Sequence, residues 1–278
     1  MPELPEVETV RRGLADRLSS FVIADLEVCR PRAIASHDDP SRFCDALRGA
    51  RLGPWSRRGK YLLCTLLPDR GVWGVHLRMT GQFQWHEEPA EPCRHTRVRI
   101  WNNQEQELRF VDLRSFGEMW WVAPDQAIDT VITGLKRLGP EPFSPDFSPG
   151  YLQRRFEGSV RPIKTALLDQ NLVAGVGNIY ADESLFAAGI DPFTPSGQLA
   201  LSRLETLHQC LVDVLNISIG AGGTTFSDFR DLEGVNGNYG GQAWVYRRHG
   251  EACRRCGTTV QRRKLAGRST HWCSSCQT

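Results

Sequence analysis

Cys253-Arg254-Arg255-Cys256 and, after sixteen intervening residues, Cys273-Ser274-Ser275-Cys276 make up the stretch from which the rest of the chain is read. Two C-x-x-C pairs at this spacing offer four thiolates to one tetrahedral ion, so residues 242–278 are expected to form a finger around one structural Zn2+. His249 and His271 lie within reach in sequence, but four cysteines already close the shell. A catalytic zinc keeps an open position, and this pattern leaves none. Between the pairs stand Arg262, Arg263, Lys264 and Arg268. They are either a solvated basic face or a set that a zinc-pinned hairpin holds against phosphates.

Charge extends the argument outward from the finger. The chain of 278 residues carries a formal net charge of only +2, yet from Gln242 onward eight Lys or Arg face the single acid Glu251. The remaining residues therefore hold a net deficit of five. A basic tail on a mildly acidic body points to a polyanion partner, nucleic acid first. The other five cysteines, Cys29, Cys44, Cys64, Cys93 and Cys210, are scattered singly. Scattered cysteines in odd number argue for reduced thiols and a cytoplasmic setting. No apolar run is long enough to span a bilayer, and the acidic, proline-containing N-terminus is not a signal peptide. At 40% hydrophobic and 24% charged residues the composition is that of a globular protein, and its length favours more than one domain.

At the other end, Met1-Pro2-Glu3-Leu4-Pro5-Glu6-Val7-Glu8 opens a helical pattern with Val7, Val10, Leu14 and Leu18 on one face. Two readings stand side by side. The prolines and glutamates start an N-terminal helix, since proline is tolerated in a first turn. Alternatively, removal of Met1 exposes a secondary amine at a helix N-terminus, where the positive end of the dipole lowers its pKa while Glu3 and Glu6 raise it. A partly neutral amine of this kind attacks an electrophilic carbon and forms an iminium.

Between these ends the chain reads as an α+β protein of several domains. Phe21–Val28, Tyr61–Leu67, Val72–Leu77, Thr96–Trp101 and Leu108–Val111 read as strands, several of them alternating, so residues 1–135 form a mostly β domain closing as an N-terminal β-sandwich. Pro140, Pro142, Pro145 and Pro149 mark residues 136–150 as a linker. Residues 151–241 turn helical, the clearest helix placing Leu201, Leu204, Leu207, Leu211 and Leu215 on one stripe and ending at Gly220. Seven glycines in 220–241 then suggest a loop that acts as a lid.

Several smaller motifs stay open on local grounds. Gly175-Val176-Gly177-Asn178 lacks the third glycine of a dinucleotide site, where Tyr180 stands; it is either a phosphate cradle or a helix corner with Asn178 as N-cap. Lys164 can add a second phosphate contact. Lys60, in Arg57-Arg58-Gly59-Lys60-Tyr61, reaches a phosphate or sugar or is merely solvated. Met79, Arg114 and Phe116 sit in two loops, the apolar pair as core residues or as wedges that open a base step.

Together these segments resemble the formamidopyrimidine-DNA glycosylase and endonuclease VIII family of DNA repair enzymes. The shared elements, in the family's order, are Pro2 to Glu8, Arg58-x-Lys60-Tyr61, Asp112-x-Arg114-x-Phe116-Gly117, Gly175 to Tyr180 and the terminal finger. Gly223-Thr224-Thr225 and Leu265 to Thr270 look more like the formamidopyrimidine branch. The resemblance implies a β-sandwich, a helix-two-turn-helix module and a four-cysteine zinc-finger β-hairpin. It implies a bifunctional glycosylase and abasic-site lyase for oxidised purines, acting as a monomer on double-stranded DNA that contains oxidised bases or abasic sites, nucleoid-associated when bound. Pro2 is then the nucleophile, Glu3 handles protons at the sugar, and Glu6 holds the amine. Lys60, Asn178 and Arg268 grip phosphates, Met79, Arg114 and Phe116 fill the void left by the everted nucleotide, and the glycine-rich loop covers the base. The family usually has glycine at Arg78 and Pro-Arg-Arg at Leu113-Arg114-Ser115.

Three alternatives remain to be separated by experiment: an endonuclease VIII-like enzyme for oxidised pyrimidines, a non-catalytic zinc-finger DNA-binding protein, and a tautomerase with an N-terminal proline base. The last leaves the basic finger and the helical domain without a purpose.

Overall fold

The computed structural model describes residues 1–36, 39–88, 90–225, 232 and 234–278. The chain divides into two compact units, residues 1–136 with 222–237, and residues 137–221 with 238–278.

The first unit begins with α1 (Leu4–Arg17), capped at Glu3 by a reciprocal capping box with Glu6 and carrying Pro5 in its first turn. Its apolar stripe is buried as the spacing predicts: Val7, Val10 and Leu14 are at most 2% exposed. Each such side chain contributes about 2 kcal/mol of burial free energy. A charged residue at the fully buried Leu14 would break this packing. Eight strands follow among the described residues: β1 (Asp25–Val28), β2 (Arg51–Arg58), β3 (Tyr61–Leu67), β4 (Val72–His76), β5 (Gly81–His86), β6 (Thr96–Trp101), β7 (Glu107–Asp112) and β8 (Glu118–Val122). They form two antiparallel four-stranded sheets, ordered β1-β6-β7-β5 and β2-β3-β4-β8. Leu62, Cys64, Trp73 and Val75 of one sheet and Phe83, Val98, Ile100 and Phe110 of the other belong to one buried cluster, the expected sandwich. In β6, Thr96, Val98 and Ile100 point inward while Arg97 and Arg99 are partly exposed, as the alternation requires. Two helices flank the sheets: α2 (Pro40–Leu47), whose N-cap Asp39 accepts from the Ser41 N–H, and the short α3 (Ile128–Val131).

Residues 222–237 belong to this unit, not to the helical module with which the sequence grouped them. Local bonding gives the reason: the Thr224 N–H donates to Glu6 Oε1 at 2.7 Å, and Leu232 packs in the sandwich core. Of the expected lid, residues 226–231 and 233 lie outside the described residues.

The second unit contains α4 (Pro149–Phe156), α5 (Ile163–Leu167), α6 (Asn178–Ala187) and α7 (Leu201–Gly220). Ser148 caps α4 by accepting from the Tyr151 N–H at 3.2 Å. In α7, Leu204, Leu207, Leu211 and Leu215 are buried, whereas Leu201, expected on the same stripe, is 41% exposed in the first turn. The helix ends where predicted, and the left-handed residue beyond it is Gly222, with φ +74°. The finger is the hairpin of β9 (Gln261–Leu265) and β10 (Arg268–Trp272), turning through Ala266 and Gly267, both with positive φ. A cut at residue 241 would divide segments that share a core, since Phe186 of α6 is buried with Val245, Cys253, Val260 and Cys273.

Candidate functional site

In the first unit a capping box ties Glu3 to Glu6, two of the three N-terminal residues singled out from sequence, and Pro2 directly precedes it. The Glu6 carboxylate accepts from the Glu3 N–H at 2.8 Å and, through its other oxygen, from the Thr224 N–H. Glu3 and Glu6 are 2% and 1% exposed, and Pro2 is buried while Met1 is 43% exposed. Glu6 is thereby held from both sides, by its own helix start and by the glycine-rich segment. Gly223 is required there: its φ is +80°, and a Cβ would stand 3.0 Å from Glu6 Oε1. Glu8 lies one turn on and serves a different purpose, accepting from Arg11, Arg12 and Arg57 and so tying α1 to β2.

Met79 and Phe116 share a surface pocket of about 470 Å³ with Met1, Arg32, Arg78 and Glu118. Phe116 is 39% exposed and Leu113 beside it 49%, so the Phe116 loop carries exposed apolar side chains. Arg114 is exposed and lies over the Phe116 ring with its guanidinium carbon 4.8 Å from the centroid; Arg32 is at 5.9 Å. Two residues that sequence reasoning did not assign organise this region. Asp112 accepts from the N–H groups of Arg114 (3.1 Å) and Gly117 (2.6 Å), and Thr80 donates its hydroxyl to Asp112 while accepting from the Arg114 N–H at 3.0 Å. The two loops are thus one hydrogen-bonded piece. The signal was present, since an Asp followed by Leu-Arg-Ser-Phe-Gly is a pattern in which a carboxylate closes its own turn.

Lys60 lies in the β2–β3 turn and is 8% exposed, more deeply set than a solvated lysine. Its charge and that of Arg78 add to burial in pushing the His76 imidazole down to about 3. His76 was not read from sequence. Its Nδ1 accepts from the Arg78 N–H at 3.0 Å, a role that only the neutral ring can fill.

In the second unit, Asn178 is tied to the finger strand that Arg268 opens. The Asn178 amide donates to Ser269 O at 2.9 Å, and Arg268, exposed, opens the same strand one residue earlier. Gly177, not Asn178, is the N-cap of α6, and Gly175 before it has φ +86°. Lys164 does not meet its expectation. It is fully buried, with Nζ 2.7 Å from Asp182 Oδ1 and donating to Ser269 O at 2.6 Å and Thr270 Oγ1 at 2.9 Å. A lysine committed to a buried carboxylate and two protein oxygens is not a phosphate ligand. Asp182, its counterion, gives no local sequence signal because α6 is buried on nearly every side.

The four cysteines of the finger converge. Their Sγ atoms all lie within 4.8 Å of one another, with Cys253 to Cys276 at 3.9 Å and Cys256 to Cys273 at 3.5 Å. Zn–S bonds of about 2.3 Å set tetrahedral sulfurs roughly 3.8 Å apart, so the cluster fits one zinc ion. No disulfide competes for these thiols. His271 is turned to Asp182 and His249 Nδ1 lies 3.3 Å from Val260 O, which leaves the four sulfurs as the donor set.

Comparison with known proteins covers the whole chain. The formamidopyrimidine-DNA glycosylase N-terminal domain matches residues 1–119, the H2TH domain of the same proteins residues 138–230, and a zinc finger found in FPG and IleRS residues 250–278. A formamidopyrimidine-DNA glycosylase of Parasynechococcus marenigrum (strain WH8102) is 72% identical over 277 residues, covering 100% of both chains. A crystal structure of a mutant Lactococcus lactis FPG in complex with a Fapy-dG containing DNA superposes with a TM-score of 0.91 at 35% identity, covering 100% of each chain. The complex between Lactococcus lactis Fpg and an abasic site containing DNA also gives 0.91 at 35% identity, over 99% of each chain. With its three segments matched in order and a relative this similar over its full length, the chain belongs to the formamidopyrimidine-DNA glycosylase family.

Proposed function

We propose that this chain is a bifunctional DNA glycosylase and abasic-site lyase that removes oxidised purines, 8-oxoguanine and formamidopyrimidines, from double-stranded DNA, with Pro2 as its nucleophile. The observation that carries the reading is the N-terminal arrangement: Pro2 directly precedes a capping box whose Glu6 is pinned by the Thr224 N–H. Met1 must first be removed, because its peptide bond makes the Pro2 nitrogen an amide with no available lone pair. The freed secondary amine attacks C1′ of the damaged nucleotide as the glycosidic bond breaks, and the base leaves with the bonding pair and takes up a proton. Loss of the amine proton and opening of the sugar ring, with Glu3 handling protons at the ring oxygen, give the iminium. Successive eliminations of the 3′ and 5′ phosphates then cut the strand on both sides of the abasic site.

Chemistry at C1′ requires the nucleotide outside the stack, and the exposed Phe116 with Met79 and Arg114 suits filling the void, Arg114 facing the orphaned base. Lys60, Asn178 and Arg268 serve as phosphate grips. The zinc ion, bound by Cys253, Cys256, Cys273 and Cys276, supports the finger and takes no part in the reaction. The enzyme works as a monomer in the cytoplasm, on the nucleoid when bound to DNA; the five cysteines outside the finger, none of them in a disulfide, support a reducing setting.

Borohydride reduction in the presence of abasic-site DNA is the test. Met-processed protein should yield a covalent adduct whose attachment maps to the N-terminal proline. Absence of an adduct would leave a DNA-binding protein without the chemistry. Excision from duplexes carrying 8-oxoguanine against thymine glycol reads the substrate class, and a clear preference for thymine glycol would replace the purine assignment by the pyrimidine one.

A further inference from the structure

We propose that Lys164, Asp182 and His271 are positioning residues that seat the finger strand so that Arg268 and Asn178 act on DNA as a single backbone grip; the proposal rests on the phosphate role given to those two residues above. The finger hairpin has only two strands, β9 and β10, and a two-stranded ribbon is marginal by itself. Its edge at β10 is not left to solvent. The Ser269 carbonyl accepts from Lys164 Nζ at 2.6 Å and from the Asn178 amide at 2.9 Å. Two residues on, the His271 N–H donates to Asp182 Oδ2 at 3.0 Å. Residues two apart on a strand face the same edge, so side chains of α5 and α6 supply the hydrogen bonds that a third strand would make.

The ion pair closes the arrangement. Lys164 Nζ lies 2.7 Å from Asp182 Oδ1 and also donates to the Thr270 hydroxyl, while His271 Nδ1 lies 3.0 Å from Asp182 Oδ2. Exposure is 0% for Lys164, 1% for Asp182 and 4% for His271. Buried ion pairs are weak contributors to net stability, and their best-attested use is to select one geometry among several. Here the geometry at stake is register: a one-residue slip of β10 would carry Arg268 to the opposite face of the hairpin. The same Ser269 carbonyl that fixes the strand also orients Asn178, so both grips follow from one hub.

The experiment compares the salt dependence of binding to a duplex carrying a tetrahydrofuran abasic analogue, in zinc-replete full-length protein held well below its unfolding temperature. Losing one phosphate contact lowers the slope of log affinity against log salt by about 0.9. Arg268→Ala is the benchmark and should show that loss. Lys164→Met combined with Asp182→Leu removes both charges together and should show the same loss, with KM raised about tenfold and kcat within twofold. Asp182→Asn keeps an acceptor for the His271 N–H and should lose less slope in the same direction. A wild-type slope in whichever of these variants folds, beside a lowered slope in Arg268→Ala, overturns the positioning role. A wild-type slope in Arg268→Ala itself removes the phosphate reading, and the proposal with it.

Discussion

Arg78 adopts φ +54°, a left-handed conformation that L side chains rarely take and that glycine, usual in the family at this place, enters freely. Two contacts offset the strain: its N–H donates to His76 Nδ1, and its guanidinium donates to Glu118, the residue paired with His76 across β4 and β8. The turn before Met79 therefore depends on a neutral imidazole. Burial first, then the charges of Arg78 and Lys60, hold that ring at about 3 against 6.5 for a free histidine. The folded value lies below the unfolded one, so the contribution is fully present above pH 6.5 and is lost progressively as pH falls towards 3. Between pH 7 and pH 5 this one group should remove about 2 kcal/mol of stability. Urea unfolding of the wild type and of His76→Gln at both pH values checks this: the variant should lose less stability on acidification. Equal losses would mean that the ring is already protonated or solvated at pH 5.

Elements differed in how readily they could be read. The stripe of α1 and the alternation of β6 were legible because each buries one face only. β2 was not, since Gly53 and Pro54 interrupt it at a bulge between Leu52 and Trp55, where a Cβ on Gly53 would stand 2.9 Å from the Thr65 carbonyl oxygen. β8 packs Met119 and Trp120 in succession and so lacks a period of two. The glycine-rich segment reads as a lid because glycine content reports freedom; at its start, Gly223 has a different task, as a close-approach residue against α1. That contact yields a prediction. Gly223→Ala should force Glu6 aside, lowering stability by about 1–2 kcal/mol and strand cleavage on the order of tenfold to a hundredfold. Gly222→Ala is the control: it shares a left-handed φ, +74°, but a Cβ there meets nothing within 4 Å. Its stability loss should be similar and its cleavage rate close to wild type. Equal rates for the two variants would show that the approach to Glu6 is immaterial to the reaction.

Across the whole molecule, spacing alone located the zinc site because a four-thiolate shell needs nothing beyond two C-x-x-C pairs and a hairpin between them. Lys164 was misassigned for the opposite reason: a lysine's sequence neighbours do not reveal a carboxylate eighteen residues away in a helix with no polar face. The same contrast predicts what zinc removal does. The sandwich core of the first unit contains no zinc ligand, whereas Cys253 and Cys273 are themselves buried core residues of the second, packed with Phe186, Val245 and Val260. Stripping the metal therefore removes both a cross-link and part of a hydrophobic core, and structural zinc contributes on the order of 10 kcal/mol to folding of the segment it holds. Hydrogen exchange on chelator-treated protein should show residues 253–278 losing protection while β3 and β7 keep theirs. Affinity for abasic-site DNA should fall at least about tenfold, through loss of the Arg268 contact and its basic neighbours. Readdition of zinc should restore both. Simultaneous loss of protection in β3, β7 and the finger would show that the two units unfold as one, and unchanged DNA affinity in the zinc-free protein would remove the finger from the DNA interface.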